Sequence, residues 1–263
     1  MTRAIVGGLL QSPTPAARIS VVQRSDPNKA QLISDFGRLG LQVVANATEL
    51  TQAATVVVWS VKPQVLKEVM LANKALFPPD CLHISVAAGI STFAMGTWLG
   101  SNQVVRCMPN TPSTVGMGAA GLYAPSHITA AQRSQVEAVL HTTGLLMWVE
   151  QEHLLEAVTA VSGSGPAYFF YVMQAMADAG QAMGLSADTA QALAIATARG
   201  AAELATQSDE SPEQLRQRVT SKGGATFEAI AVFEQARLNT TVAQAMDACA
   251  ARAKAMGEAF GSA

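Results

Sequence analysis

Cysteine is scarce in this chain: only Cys81, Cys107 and Cys249 occur, odd in number and far apart. A disulfide framework and a zinc-binding spacing are thereby excluded, and a reducing, cytoplasmic setting is the default. Charge is scarce too, at 14% of residues, and nearly balanced, with 17 Lys+Arg against 19 Asp+Glu for a net −2. Nucleic-acid partners normally meet a basic stripe, so none is expected. No run reaches the roughly 20 apolar residues that a membrane span needs. The four histidines, His83, His127, His141 and His153, have neither triad nor metal spacing, so structural roles and no metal are expected. The run Ala4-Ile5-Val6-Gly7-Gly8-Leu9-Leu10, followed by Thr14-Pro15-Ala16-Ala17, imitates a signal peptide. It is at the short limit and holds two glycines, which argues against secretion.

Also lacking is the usual opening of a dinucleotide-binding domain: a strand, then G-x-G-x-x-G/A, then a helix whose N-terminus receives pyrophosphate. Residues 1–10 have the small, apolar character of that helix, Gly7 and Gly8 allowing close helix–sheet contact, yet no strand precedes them.

What is present divides into two textures. Up to about residue 150, β-branched runs at 19–23, 42–45, 55–61, 82–87, 104–108 and 146–150 alternate with helical stretches such as 28–38 and 63–76. Val56-Val57-Val58-Trp59 is apolar on both faces, as a parallel strand between helix layers should be. This alternation predicts an α/β doubly wound sheet over residues 1–152. Beyond it the strand signal stops, and 166–183, 187–207, 212–219 and 240–260 predict an all-helical domain over 153–263. Ser211-Pro212-Glu213-Gln214 carries an N-cap serine, a first-turn proline and a capping-box glutamine, and Gly184 stands where a helix ends left-handed. Alanine-rich helices and an apolar stripe on Val242, Ala245, Met246, Cys249 and Met256 fit either an intramolecular bundle or a subunit interface of interleaved helices.

Ligands of open parallel sheets lie beyond the carboxyl ends of the strands. Four loops there are candidates. Arg24 and Ser25 follow the 19–23 strand, where an arginine accommodates a 2′-phosphate, which favours NADPH with NADH as the alternative. Ser60-Val61-Lys62-Pro63 ends the next strand but one. Val86-Ala87-Ala88-Gly89 follows, with side chains small enough for a flat ring to approach. In Met108-Pro109-Asn110-Thr111-Pro112, Asn110 offers both a donor and an acceptor to a carboxamide. Each loop, taken singly, fits an ordinary connection equally well.

In order, these segments resemble the pyrroline-5-carboxylate reductases. The resemblance rests on Val61-Lys62-Pro63-Gln64, Ser85-Val86-Ala87-Ala88-Gly89, Arg106-Cys107-Met108-Pro109-Asn110-Thr111-Pro112, Val161-Ser162-Gly163-Ser164-Gly165-Pro166-Ala167-Tyr168 and Val219-Thr220-Ser221-Lys222-Gly223-Gly224-Ala225-Thr226. It implies a Rossmann-like cofactor domain followed by a helical dimerisation domain, in homodimers that assemble further into decamers. It also implies NAD(P)H-dependent reduction of 1-pyrroline-5-carboxylate to L-proline. Carried over by motif, Ser25 meets the adenosine phosphate, residues 61–63 and 87–89 the ribose and nicotinamide, and Asn110 the nicotinamide end. Asn46 matches an asparagine near the adenosine, with one residue extra in its spacing to Val61. Ser221, Gly223, Gly224, Ala225 and Thr226 hold the substrate. For Thr226, helix capping fits the residue type as well as hydrogen-bonding the ring nitrogen does. Lys62, before Pro63, suits a cofactor edge better than a catalytic base. Tyr168 is expected to pack in the helical domain.

The family's strand and G-x-G-N-M precede the Ala-Ile segment, and Met1 falls where that methionine stands. A start codon placed too late, losing about ten residues, accounts for this, with a truncated gene as the alternative. The lost strand would be central, leaving its neighbours' ladders unpaired at roughly 1–3 kcal/mol per buried group, against a total margin of about 5–15. The chain is therefore expected to be poorly stable and to bind cofactor weakly. Two other functions remain. One is a dimerising homologue that holds no cofactor. The other is a reductase of the β-hydroxyacid dehydrogenase type, which usually carries a lysine on the first interdomain helix, whereas 166–183 has none.

Overall fold

The computed structural model describes residues 1–12, 18–50 and 54–261. The Thr14-Pro15-Ala16-Ala17 part of the signal-like segment lies outside them. The chain forms two compact units: residues 1–163 with the last helix from Cys249 on, and Ser164–Ala248. The first unit thus extends past the boundary expected at 152/153. Leu155 is buried, and Gly121 would meet Val158 if it carried a Cβ, so residues after 152 pack on the sheet.

In chain order the first unit holds α1 (Thr2–Gln11), β1 (Ser20–Val22), α2 (Asp26–Phe36), β2 (Gln42–Val44), β3 (Val56–Trp59), α3 (Pro63–Asn73), β4 (Leu82–Ser85) and α4 (Thr92–Leu99). Then come β5 (Val104–Met108), β6 (Gly118–Tyr123), α5 (Ala130–Leu140), β7 (Gly144–Trp148), α6 (Leu154–Val158) and a π-helical turn over Thr159–Gly163. The strands make two sheets. One is β1-β2, parallel; the other runs β3-β4-β5-β6-β7, parallel except where β6 opposes β5. Among the described residues no strand pairs with the outer edge of β1 or of β3. The break falls where a central strand of a doubly wound sheet belongs. Helix α1 spans both parts: Ile5 and Leu9 enter the core of the larger sheet, and Val6 joins Val21, Leu32 and Leu41 on the smaller one.

Alternation in the strands builds the larger core. Leu82, Ile84, Val105 and Leu122 pack against α1 and α5 on one face, while Trp59, Val104 and α3 and α4 residues Leu66, Met70 and Met95 fill the other. Phe260, near the end of the last helix, packs on this second cluster. Gly7 and Gly8 touch Phe36 and Thr142 rather than a strand, so their small size serves contact with α2 and the turn after α5. Strand β6 was not legible: Gly118-Ala119-Ala120-Gly121 lacks β-branched residues. The strand expected at 146–150 begins two residues earlier, at Gly144 (φ +128), whose built Cβ overlaps Gly118.

The second unit contains α7 (Gly165–Ala182), α8 (Ala187–Thr206), α9 (Pro212–Arg218), α10 (Ala225–Gln235) and the first part of α11 (Leu238–Gly261). The Ser211 capping box is formed, with Ser211 N–H donating to Gln214 Oε1 at 2.8 Å and Gln214 N–H to Ser211 Oγ at 3.3 Å. Gly184 is left-handed at φ +102. Ala177 meets Ala190 and Ala194, so small residues close the α7–α8 hairpin. Among the described residues no helix is long and apolar enough to cross a membrane.

Candidate active site

Register aligns the expected cofactor loops. Trp59 stands opposite Ser85, and Ser85 opposite Arg106, so β3 and β4 end side by side and β5 runs two residues further in the same direction. Val86 N–H continues the ladder to Trp59 O at 3.2 Å. Residues 60–63, 86–89 and 109–112 therefore leave one carboxyl-end rim. Lys62 is exposed at the N-cap of α3, extended at ψ 145, and Pro63 opens the helix.

Beyond β1, Ser25 is the exposed N-cap of α2 and makes no side-chain capping bond, which leaves its hydroxyl for other partners. Arg24 beside it is 60% exposed and lies 4.0 Å from Glu68 of α3, a loose surface contact worth little. Asn46 lies two residues beyond β2, where its backbone N–H donates to Glu49 Oε1 at 2.8 Å in a capping box. The structure thus gives Asn46 a local task.

Two loops are more committed than their sequence suggests. Gly89 is left-handed (φ +82), and a Cβ on it would lie 2.8 Å from Gly257 Cα, so its small size admits the end of α11. Asn110 is buried, donates from Nδ2 to Ser162 O at 3.0 Å and accepts at Oδ1 from Ala119 N–H at 3.0 Å. One amide hydrogen and one lone pair remain by inventory. Gly163 in turn approaches the Met108 methyl, which a Cβ at that position would meet at 2.8 Å. M-P-N-T-P therefore meets Ser162 and Gly163, the first two residues of S-G-S-G-P.

A group to which no role was assigned from the sequence lies beside these loops: Arg106, Glu152 and Thr92. Arg106 is buried in β5, and its guanidinium pairs with Glu152 at 3.1 Å. The same carboxylate accepts Thr92 N–H at 2.7 Å and Thr92 Oγ1 at 3.0 Å. An arginine inside an otherwise apolar strand was the signal, since a buried cation needs a carboxylate.

Buried titratable groups here are not reactive. Burial pushes the Cys107 thiol up to about 12 and that of Cys81 to about 11, so neither supplies a thiolate. Burial lowers His83 to about 4, and its neutral ring accepts from Trp59 Nε1 at 3.3 Å. His127 and His141 bond backbone carbonyls, and His153 precedes α6 rather than lying on a helix surface.

In the helical unit, Ser221 O accepts Gly224 N–H at 3.0 Å, and Gly223 (φ +74) reverses the chain. Gly224 is the N-cap of α10. The amides of Ala225, Thr226 and Phe227 open the helix as donors without intrahelical acceptors, at its positive end. Thr226 is therefore not the cap; its exposed hydroxyl sits in the first turn.

A broken but doubly wound sheet with its loops on one rim, joined to a helical unit, defines a Rossmann-like oxidoreductase architecture. Comparisons with known proteins specify it. The profile for pyrroline-5-carboxylate reductase dimerisation matches residues 152–256, and that for NADP oxidoreductase, coenzyme F420-dependent, matches residues 1–89. A pyrroline-5-carboxylate reductase of Pseudomonas aeruginosa is 44% identical, over 99% of this chain and 95% of its own length. The structure resembles that of a pyrroline-5-carboxylate reductase from Coxiella burnetii (TM-score 0.89, 38% identity, 96% of this chain and 93% of that one). It also resembles Plasmodium falciparum pyrroline carboxylate reductase with NADP bound (TM-score 0.82, 26% identity, 97% and 93%). The chain belongs to the pyrroline-5-carboxylate reductase family.

Proposed function

We propose that this chain is the NADPH-dependent reductase that converts 1-pyrroline-5-carboxylate to L-proline, the last step of proline biosynthesis, with NADH as a second donor. The carrying observation is the common rim on which β3, β4 and β5 end. The residues present suit the cofactor. Arg24 and the uncommitted Ser25 hydroxyl would take a 2′-phosphate, Ser60, Val61, Lys62 and Pro63 the ribose side, and Ala87, Ala88 and Gly89 the nicotinamide side. Asn110 keeps one donor and one acceptor for the nicotinamide end, and Asn46 stands at the adenosine side. When bound, the reduced nicotinamide supplies the hydride, and the protein's part is orientation.

On the substrate side, the Gly223, Gly224 and Ala225 turn presents backbone amides at a helix start, which suit a carboxylate without a cationic side chain. Ser221 shapes that turn. Thr226 Oγ1, not consumed by capping, hydrogen-bonds the imine nitrogen, either directly or through a positioned water, and orients the protonated iminium. The enzyme works in the cytoplasm as a homodimer through its helical units, with decamers as the larger assembly.

The test is steady-state turnover with NADPH and 1-pyrroline-5-carboxylate, with proline quantified. Thr226→Ala is expected to lower kcat/KM about a hundredfold with NADPH affinity unchanged, and Thr226→Ser to recover most of it. Wild-type turnover by Thr226→Ala would remove that residue from the mechanism. Absence of proline from the unmodified chain would remove the reductase reading. For a homologue that only dimerises, NADPH would give no thermal stabilisation; the reductase gains about 2.7 kcal/mol at a hundred times Kd.

A further inference from the structure

We infer that Glu152 is a positioning residue for the cofactor, acting through Thr92 on the loop that follows β4; this rests on the reading that the loop faces the nicotinamide. The start of the loop is fixed by the sheet. Val86 N–H bonds Trp59 O at 3.2 Å, and Ala87 N–H bonds Ser85 Oγ at 3.3 Å. Its end is fixed by Glu152, whose two oxygens accept the Thr92 N–H and hydroxyl from 60 residues along the chain. Ser91 Oγ serves only one first-turn amide of α4, accepting Ala94 N–H at 3.1 Å, and the Thr92 amide is left to Glu152. Neutralising Arg106 does not require Thr92. The Arg106 guanidinium holds the carboxylate in place at 3.1 Å, and the carboxylate holds the loop. Charge-assisted bonds at the positive end of a helix are the strong kind, so the anchor is stiff. Ala87, Ala88 and Gly89 are thereby suspended between two fixed ends.

Two variants separate positioning from bulk stability. Thr92→Val keeps the Arg106–Glu152 pair but loses the hydroxyl bond. The Arg106→Met/Glu152→Leu double variant replaces a buried ion pair by apolar volume, which is often neutral for stability, and removes the anchor altogether. NADPH Kd by fluorescence titration, KM for each substrate, kcat and Tm are measured for both and for the unmodified chain. The inference expects Kd and KM for NADPH to rise several-fold in Thr92→Val and about tenfold in the double variant. KM for the imine should hold, and the affinity loss should not follow Tm. Unchanged NADPH affinity in the double variant, or losses that track Tm in both, would overturn it. If the unmodified chain itself binds no NADPH, the functional reading fails and this inference with it, an outcome distinct from variants that bind like the parent.

Discussion

The two units of this chain are built on opposite terms. In the α/β unit, Leu66, Met70, Ile84, Met95 and Val105 are completely buried. In the helical unit, the only buried residues among 164–248 are Gly165, Ala177, Ala190 and Ala194, while Phe170, Tyr171 and Phe233 are more than half exposed. Burial of apolar area is the main term that offsets chain entropy. A helical unit that buries only alanine and glycine cannot supply it alone. Exposed aromatic faces of this extent mark an interaction surface, and residues 152–256 match a dimerisation family. One unit is held by its own core; the other leaves its apolar face for the homodimer proposed above.

That contrast can be broken in several ways. The largest effect is expected from Phe170→Glu combined with Val172→Asp, two exposed apolar positions of α7. Light scattering after gel filtration should show loss of the oligomer, and activity should vanish with it; an unchanged assembly would show that the helical face is not the interface. Next is the break between β1 and β3. A strand with a glycine-rich loop supplied between β1 and β3 should pair the two edges that no described strand covers, at roughly 1–3 kcal/mol for each buried group satisfied. A Tm rise and tighter NADPH binding are expected, and a graft that changes neither would mean that these edges are already satisfied. In the α/β unit, Met95→Ala should cost about 2–5 kcal/mol whatever the protein concentration, whereas the proposed dimer makes the Tm of the helical unit fall on dilution.

Acid should act on the α/β unit through His83. Its folded pKa of about 4 lies below the ordinary 6.5, so the unfolded chain takes up the proton first. Stability contributed by the neutral ring is full above about pH 6.5, falls as pH drops to about 4, and levels off below; His83→Gln should flatten that part of a Tm-against-pH curve. The smallest effect belongs to Gly257→Ala. Its new methyl group would press on Gly89 O, so a shift of the loop and a few-fold rise in NADPH Kd are expected, at a stability cost of about 1–3 kcal/mol.

Legibility followed the physics of each element. Val104–Met108 was read to the residue because four apolar residues around Arg106 sit between clear breaks. Four helices of the second unit were read within about two residues, because caps such as Ser211 and Gly184 are local, whereas α10 was not among the expected helices. Strand β6 escaped because small residues carry no β signal; they are there because Ser113, Thr143 and Val158 crowd Gly118 and Gly121. The rim loops were placed by strand order alone, since parallel register decides where they emerge. What sequence did not disclose was long-range: Glu152 reaching Thr92, Gly257 against Gly89, and Asn110 tied to Ser162. Such contacts join segments with no shared periodicity.

Hydride destination tests the account most directly. With NADPH deuterated at the transferable position of the nicotinamide, 1-pyrroline-5-carboxylate should yield proline carrying one deuterium on the carbon that formerly bore the C=N bond. Label found only in solvent, or proline formed unlabelled, would contradict direct reduction of the imine by this chain.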